Sequence, residues 1–209
     1  MNKALLKKFF DSLIWLMIII FVLDFATKWI VQLNLKDDII LIPGFLKITL
    51  THNLGASFGM GNGGEPFMRA LWITISVVMS AGLIFYYIKS FKKNSKLYNI
   101  AFALMIAGAL GNAVDRIFYW DALVGFDGVI DWISFTFGSY NFPVFNIADS
   151  SLVIGVILLL VLLIIEMIKD AIKKNKDGAY SLPPEQYEKK LKKEAEALEK
   201  ENNEANNSK

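Results

Sequence analysis

The chain has 209 residues, 55% of them hydrophobic and 16 of them Phe, a composition that fits a membrane protein better than a soluble domain. Its 22 Lys and Arg against 20 Asp and Glu give a formal net charge of +2, so no whole-molecule field favours nucleic acid as a partner. Cys is absent and His52 is the single His, which excludes disulfides, thiol catalysis and zinc sites built from His and Cys, and with them a metallopeptidase.

Four stretches, 13–31, 67–88, 97–114 and 147–168, are apolar and long enough to cross a hydrocarbon core that takes about 20 residues of helix. The first follows Lys3, Lys7 and Lys8 in the manner of a signal peptide. Asp24 and Lys28 interrupt the place where a small-residue cleavage site belongs, so it reads as an uncleaved span. The connection after it holds a strand-like segment, 39–51, and a glycine-rich tip, 59–64, that reads as a plain turn rather than a gate. The third span ends in Gly108, Gly111, Asn112, Asp115 and Arg116, three and four residues apart, one small and polar stripe able to meet another helix closely. Asp131 follows in an alternating run, 128–135, and Asn146, Asp149, Ser150 and Ser151 open the fourth span. The tail, 176–209, is highly charged; Pro183 and Pro184 open a helix through Lys200 with no broad apolar face, read as a solvated cytoplasmic extension rather than a docking helix. Its removal is expected to preserve activity.

Loops kept in the cytoplasm are rich in Lys and Arg close to the membrane. The amino terminus, the link carrying Lys89, Lys92, Lys93 and Lys96, and the segment with Lys169, Lys173, Lys174 and Lys176 therefore belong inside. The connections 32–66 and 117–146 face outward. Asp24, the polar end of the third span, Asp131 and the first turns of the fourth span then converge at the outer leaflet.

Carboxylates at membrane depth are costly and persist where they face a protein interior or a wet cavity with partners. Each also has a plain structural reading. Asp24 and Lys28 suit a local ion pair near the interface as well as a substrate contact. Asn112, Asp115 and Arg116 read first as a clamp at a helix end, with Arg beside Asp keeping that carboxylate ionised. Asp149 suits the dipole of a helix start, and Asp131 alone is unremarkable. A transporter or channel is the main rival, disfavoured because four spans show no internal repeat for alternating access. A membrane scaffold leaves the gathered carboxylates and amides unexplained. Serine chemistry at Ser57 lacks a following Gly and an evidently placed His.

Five segments carry a resemblance. They are Asp24-Phe-Ala-Thr-Lys28, Asn53-Leu-Gly-Ala-Ser-Phe58, Gly108-Ala-Leu-Gly-Asn-Ala-Val-Asp-Arg116, Val129-Ile-Asp-Trp-Ile133 and Phe142-Pro-Val-Phe-Asn-Ile-Ala-Asp149. In this order the sequence resembles the lipoprotein signal peptidase (signal peptidase II) family over nearly all of 13–168. The resemblance implies a membrane aspartic endopeptidase that removes the signal peptide from diacylglyceryl-modified bacterial prolipoproteins, cleaving just before the lipidated Cys. It places the catalytic pair on Asp131 and Asp149. Asp24, Lys28, Asn53, Gly55, Asn112, Asp115, Arg116, Asn146 and Ala148 become substrate-binding or supporting residues.

The implied fold is an all-α transmembrane bundle of four helices with a small β-rich extracytoplasmic subdomain over the membrane. Residues 1–175 form the peptidase domain and 176–209 the cytoplasmic tail. No metal or organic cofactor is expected. The partners are lipid-modified prolipoprotein and membrane lipid, not nucleic acid, and the chain is expected to be monomeric. It belongs in the bacterial inner membrane with both termini cytoplasmic and the site near the outer leaflet. Two close carboxylates in a poorly solvated pocket share one proton, which suits acid–base hydrolysis, and which Asp holds it at rest stays open.

Overall fold

A computed structural model describes residues 11–55, 66–118, 120–121, 126–178, 188–189, 191–193 and 196. Lys3, Lys7, Lys8, Ser57, the glycine-rich tip 59–64 and most of the tail helix expected over 183–200 lie outside the described residues. The chain divides into two compact units, 1–162 and 163–209. The second contains the later turns of the last long helix and helical residues at 188–189, 191–193 and 196.

Four long helices are present among the described residues: α1 (Ile14–Asn34), α2 (Pro66–Ser90), α3 (Lys96–Phe118) and α4 (Ile147–Gly178). Each has a stretch apolar and long enough to cross a membrane, matching the four stretches read from sequence to within a few residues. They differ in surroundings. In α3, 56% of the apolar window is buried, against 17, 11 and 11% in α1, α2 and α4, which makes α3 the helix the others pack around in the first unit. Ala101, Ala103, Ala107, Gly108 and Gly111 supply the reason, since small side chains let neighbouring backbones approach. Ile30, Leu33 and Val78 on the surrounding helices stay more than 60% exposed, the surface expected to meet lipid.

Two helix contacts set the site. Cβ atoms at Gly108 would overlap the Ala148 carbonyl oxygen and lie 2.8 Å from the Leu152 nitrogen. One at Gly111 would lie 2.7 Å from Asp24 Oδ2 and 2.9 Å from the Ala148 Cβ. The small stripe therefore holds α4 and α1 against α3, as its spacing suggests. Ser151 adds a hydrogen bond from Oγ to the Leu104 carbonyl at 2.8 Å, satisfying both groups without water.

The connections build sheets. β1 (Ile39–Ile42), β2 (Leu46–Asn53), β5 (Val129–Phe137) and β6 (Tyr140–Asn141) form an antiparallel sheet in the order β1-β2-β5-β6. β3 (Trp120–Asp121) and β4 (Phe126–Asp127) form a separate pair. The segment read as strand-like, 39–51, is a hairpin whose turn uses Gly44 at φ 70°. Between β2 and β5, Ile48 pairs with Ile133 but Thr51 pairs with Asp131, so β2 uses one extra residue there. This bulge resets the register and puts Asn53 opposite Val129, diagonal to Asp131 on the same face.

Candidate active site

Asp131 lies on β5 with only 2% of its surface exposed. Its Oδ2 accepts a hydrogen bond from Asn53 Nδ2 at 3.1 Å and its Oδ1 one from Asn146 Nδ2 at 2.7 Å. Asn53 is itself fixed, because its Oδ1 accepts from the Gly55 N–H at 3.1 Å. Gly128 permits the approach of the two strands: at φ 107° a side chain is strained, and its Cβ would lie 2.5 Å from the Asn53 carbonyl oxygen.

Asp149 reaches the site from the first turn of α4. The Asn146 N–H donates to Asp149 Oδ2 at 3.1 Å, while the Asp149 N–H donates to Asn146 Oδ1 at 2.8 Å. This reciprocal pair satisfies two helix-start donors in the manner of a capping box, so the helix-start reading of Asp149 is correct. It is also incomplete, since Oδ1 remains for the site and accepts from Asn112 Nδ2 at 2.6 Å. Asn146 is brought to β5 by the two bonds between Phe145 and Ile133, N to O at 3.1 Å and 2.8 Å, and donates further to the Ile130 carbonyl and Asn112 Oδ1.

Beneath these lies an ion cluster. Lys28 Nζ is 2.6 Å from Asp24 Oδ2 and 2.7 Å from Asp115 Oδ2, and it donates to Asn112 Oδ1 at 3.2 Å. Asp24, Lys28 and Asp115 are each 1% exposed. One expectation holds and one needs correction. The ion pair expected between Asp24 and Lys28 is present, and Asp115 and the Asn112 amide also hold the ammonium inside. Asp115 pairs with Lys28 rather than with the adjacent Arg116, since consecutive helix positions point about 100° apart. Arg116 instead donates to the Gly55 carbonyl at 3.1 Å, with longer 3.5 Å contacts to Ser76 Oγ and the Asn112 carbonyl. Ala148 enters through its backbone, donating its N–H to Asp24 Oδ1 at 2.8 Å.

Asp131 and Asp149 both line a cavity of about 660 Å³. Asn53, Asn112 and Arg116 line it with them, so it gathers residues from α3, α4, β2 and β5. Burial, then the Asp149 charge, pushes the Asp131 carboxyl up to about 7, against hydrogen bonds from Asn53 and Asn146 that favour its ionised form. One wall is apolar: Phe142, Pro143, Val144, Phe145, Val153 and Ile154. Sequence reading gave these residues no role, although the period of α4 places Val153 and Ile154 one turn beyond Asp149 and Ser150. It also missed His52, whose Nε2 lies 2.7 Å from Gln32 Oε1 at the cavity edge, a contact between α1 and β2 that local pattern does not reveal.

Of the residues expected to support the site, Asn53, Asn112 and Arg116 line the cavity, Gly55, Asn146 and Lys28 hydrogen-bond to residues that line it, and Asp24, Asp115 and Ala148 stand one step further back. The arrangement offers two acidic groups, a ring of amide donors, one guanidinium and an apolar wall.

Comparison with known proteins agrees in extent with this site. The family model for signal peptidase (SPase) II matches residues 16–165. A lipoprotein signal peptidase of Bacillus pumilus is 40% identical over 146 residues, 69% of this chain and 86% of that protein. One from Staphylococcus epidermidis is 40% identical over 174 residues, 82% of this chain and 98% of that protein. A solved bacterial membrane enzyme, determined by the in meso method at 2.3 Å, superposes with a TM-score of 0.64 at 34% identity, covering 74% of this chain and 88% of that one.

Proposed function

The chain belongs to the signal peptidase II family, and from that premise we propose that it cleaves its substrate as an aspartic peptidase with Asp131 and Asp149 as the acid–base pair. Its activity is removal of the signal peptide from prolipoproteins. Four apolar helices and this membership fit a multi-pass protein of the bacterial inner membrane. The observation that carries the catalytic reading is the meeting of Asp131 and Asp149, 18 positions apart in the numbering and on different elements, in one cavity ringed by amide donors.

In the proposed reaction, the ionised member of the pair takes a proton from water as its oxygen adds to the scissile carbonyl. The protonated member gives its proton to the carbonyl oxygen. Collapse of the resulting gem-diol breaks the C–N bond before the lipidated Cys, and the leaving amine takes back a proton from the pair. Raised to about 7, the Asp131 carboxyl keeps its proton in about half of the molecules at neutral pH, as a shared-proton pair requires. Arg116 and Asn53 are suited to hold the substrate backbone. The apolar wall suits the signal peptide and the diacylglyceryl chains. We place the sheet and the cavity on the outer side of the membrane, both termini in the cytoplasm, and read the protein as a monomer that works without metal or cofactor, on the basic residues and the chemistry above.

The test is a gel-mobility assay with the purified protein in lipid and a diacylglyceryl-modified proprotein, run across pH, with Asp149→Asn as the matched control. Wild type is expected to release the signal peptide and the control to release none. Below pH 7 Asp131 keeps its proton; above it the pair loses its last one, so kcat/KM is expected to fall about tenfold per pH unit beyond the alkaline limb near 7. Activity flat to pH 9, or unimpaired in Asp149→Asn, sinks the reading.

In sequence, residues 176–209 follow every residue that lines the cavity, the last of which is Ile154. A chain ending at Asn175 is expected to keep kcat/KM within about twofold of wild type, as removal of a solvated terminal segment should. A loss above tenfold in the same assay assigns the tail a part in the reaction.

A further inference from the structure

Three Asn side chains touch the carboxylates, and each amide has two orientations that exchange its donor and acceptor ends. Which end faces the carboxylate decides whether the site stabilises or repels it. Asn53 is oriented by the Gly55 N–H, which donates to its Oδ1 and leaves Nδ2 toward Asp131. Asn146 is oriented by the Asp149 N–H, which donates to its Oδ1 and leaves Nδ2 toward Asp131. A backbone N–H has no lone pair, so neither amide can turn over without facing a donor with a donor.

Asn112 has no backbone N–H on its side-chain oxygen among its hydrogen bonds. Its Oδ1 accepts from Asn146 Nδ2 at 3.1 Å and from Lys28 Nζ at 3.2 Å. Asn146 Nδ2 is held toward it by the Asp149 N–H on Asn146 Oδ1, and Lys28 adds the charged donor, an ammonium with three donors and no acceptor in every rotamer. Turning Asn112 over would set its NH₂ against the Lys28 ammonium and its oxygen against Asp149 Oδ1, two repulsive contacts in place of two bonds. The charges around Lys28 keep it an ammonium: Asp24 and Asp115 lie at 2.6 and 2.7 Å, and Arg116, Asp131 and Asp149 are the other charged groups around the network.

Building on the proposed role of the Asp131–Asp149 pair, we infer that Lys28 is a positioning residue for the reaction. Together with Asn146 Nδ2 it fixes the orientation of the Asn112 amide, supplying the charged donor that makes Asn112 Nδ2 an obligatory hydrogen-bond donor to Asp149. The ion cluster is then a device for orienting one amide, beyond joining α1 to α3. Lys28 acts through Asn112 and touches neither carboxylate of the pair by hydrogen bond.

The experiment is a double-mutant cycle built on Asp115→Asn, so that removing the Lys28 charge leaves the cluster with the same net charge as wild type. Into this parent go Lys28→Met, Asn112→Ala and both, each assayed for kcat and KM on the diacylglyceryl proprotein and for thermal unfolding in detergent. Lys28→Met is expected to lower kcat about 10- to 100-fold, the range seen when a group that orients a metal ligand is removed, with KM within about threefold. In the Asn112→Ala background the same change is expected to lower kcat less than about threefold, because the amide it orients is gone. An equal loss in both backgrounds, or no loss in the parent, overturns the inference.

If Lys28→Met does not fold, wild-type protein labelled with ¹⁵N-Asn decides. One Asn112 amide proton should lie well downfield of its partner, and a pair at ordinary separation overturns the inference. Asp149→Asn, assayed beside the cycle, separates the two ideas: full activity there removes the catalytic pair itself, whereas an inactive Asp149→Asn with an additive cycle removes the role of Lys28 alone.

Discussion

Replacing Asp131 by Asn is expected to abolish cleavage, lowering kcat by about 10⁴-fold or more, and at the same time to make the protein harder to unfold at pH 8. The first effect follows from chemistry. Asn can neither take a proton from water nor return one to the leaving amine, and the remaining carboxylate has no partner with which to share a proton. The second follows from burial. A carboxyl held at about 7 instead of its ordinary 3.8 costs the folded protein about 4 kcal/mol once fully ionised. That cost is absent below pH 4, where folded and unfolded chains both hold the proton. It grows as pH rises and is complete above 7.

Asn carries no such cost, but it loses part of the network. Its NH₂ must face either Asn53 Nδ2 or Asn146 Nδ2, each held in place by a backbone N–H, and one donor–donor contact costs about 1–3 kcal/mol. The burial term is the larger. Asp131→Asn is therefore expected to unfold about 5 °C above wild type at pH 8 and no higher at pH 4, measured by thermal unfolding in detergent. An inactive variant that is also less stable at pH 8 would show only a damaged fold and leave Asp131 without a demonstrated chemical role.

The parts of this site legible in the sequence are those set by local period or motif. Spacing placed Gly108, Gly111, Asn112 and Asp115 on one side of α3 and put Asn146 and Asp149 on the first turn of α4, and both features are present. Motif resemblance singled out Asp131, which its own strand pattern did not. What stayed hidden depends on register and rotation between elements. The bulge in β2 has no sequence mark in the run from Ile48 to Thr51, yet it decides that Asn53, rather than a neighbour, reaches Asp131. The partner of Asp115 is 87 positions away at Lys28, and only the packing of α1 on α3 reveals it. The apolar cavity wall looked like ordinary span and loop residues, because lipid-facing and substrate-facing apolar side chains are chemically alike.

Gly108→Val is expected to do the largest damage of any change that leaves every polar group of the site in place. A Cβ here meets backbone, the Ala148 carbonyl and the Leu152 nitrogen at 2.8 Å, so no side-chain rotation relieves it and α4 must move. Helix propensity works against glycine by about 1 kcal/mol relative to Ala, but overpacking costs about 1–3 kcal/mol and more where only backbone can yield. The clash wins, and Val adds two further methyl groups. The displacement falls on the turn that carries Asp149, whose 2.6 Å bond to Asn112 and whose capping bonds with Asn146 fix one half of the proposed catalytic pair.

A shift near 1 Å at a reacting group costs about 100-fold in rate. Gly108→Val is therefore expected to lose about 100-fold in kcat and about 3 kcal/mol of stability, with Gly108→Ala between it and wild type. Gly82 is the control, since a Cβ there meets nothing within 4 Å. Gly82→Ala should keep full activity and gain up to about 1 kcal/mol from propensity alone. Wild-type kcat in Gly108→Val would show that α4 tolerates a wider spacing from α3, and that the amide network, rather than the helix contact, holds Asp149 in place.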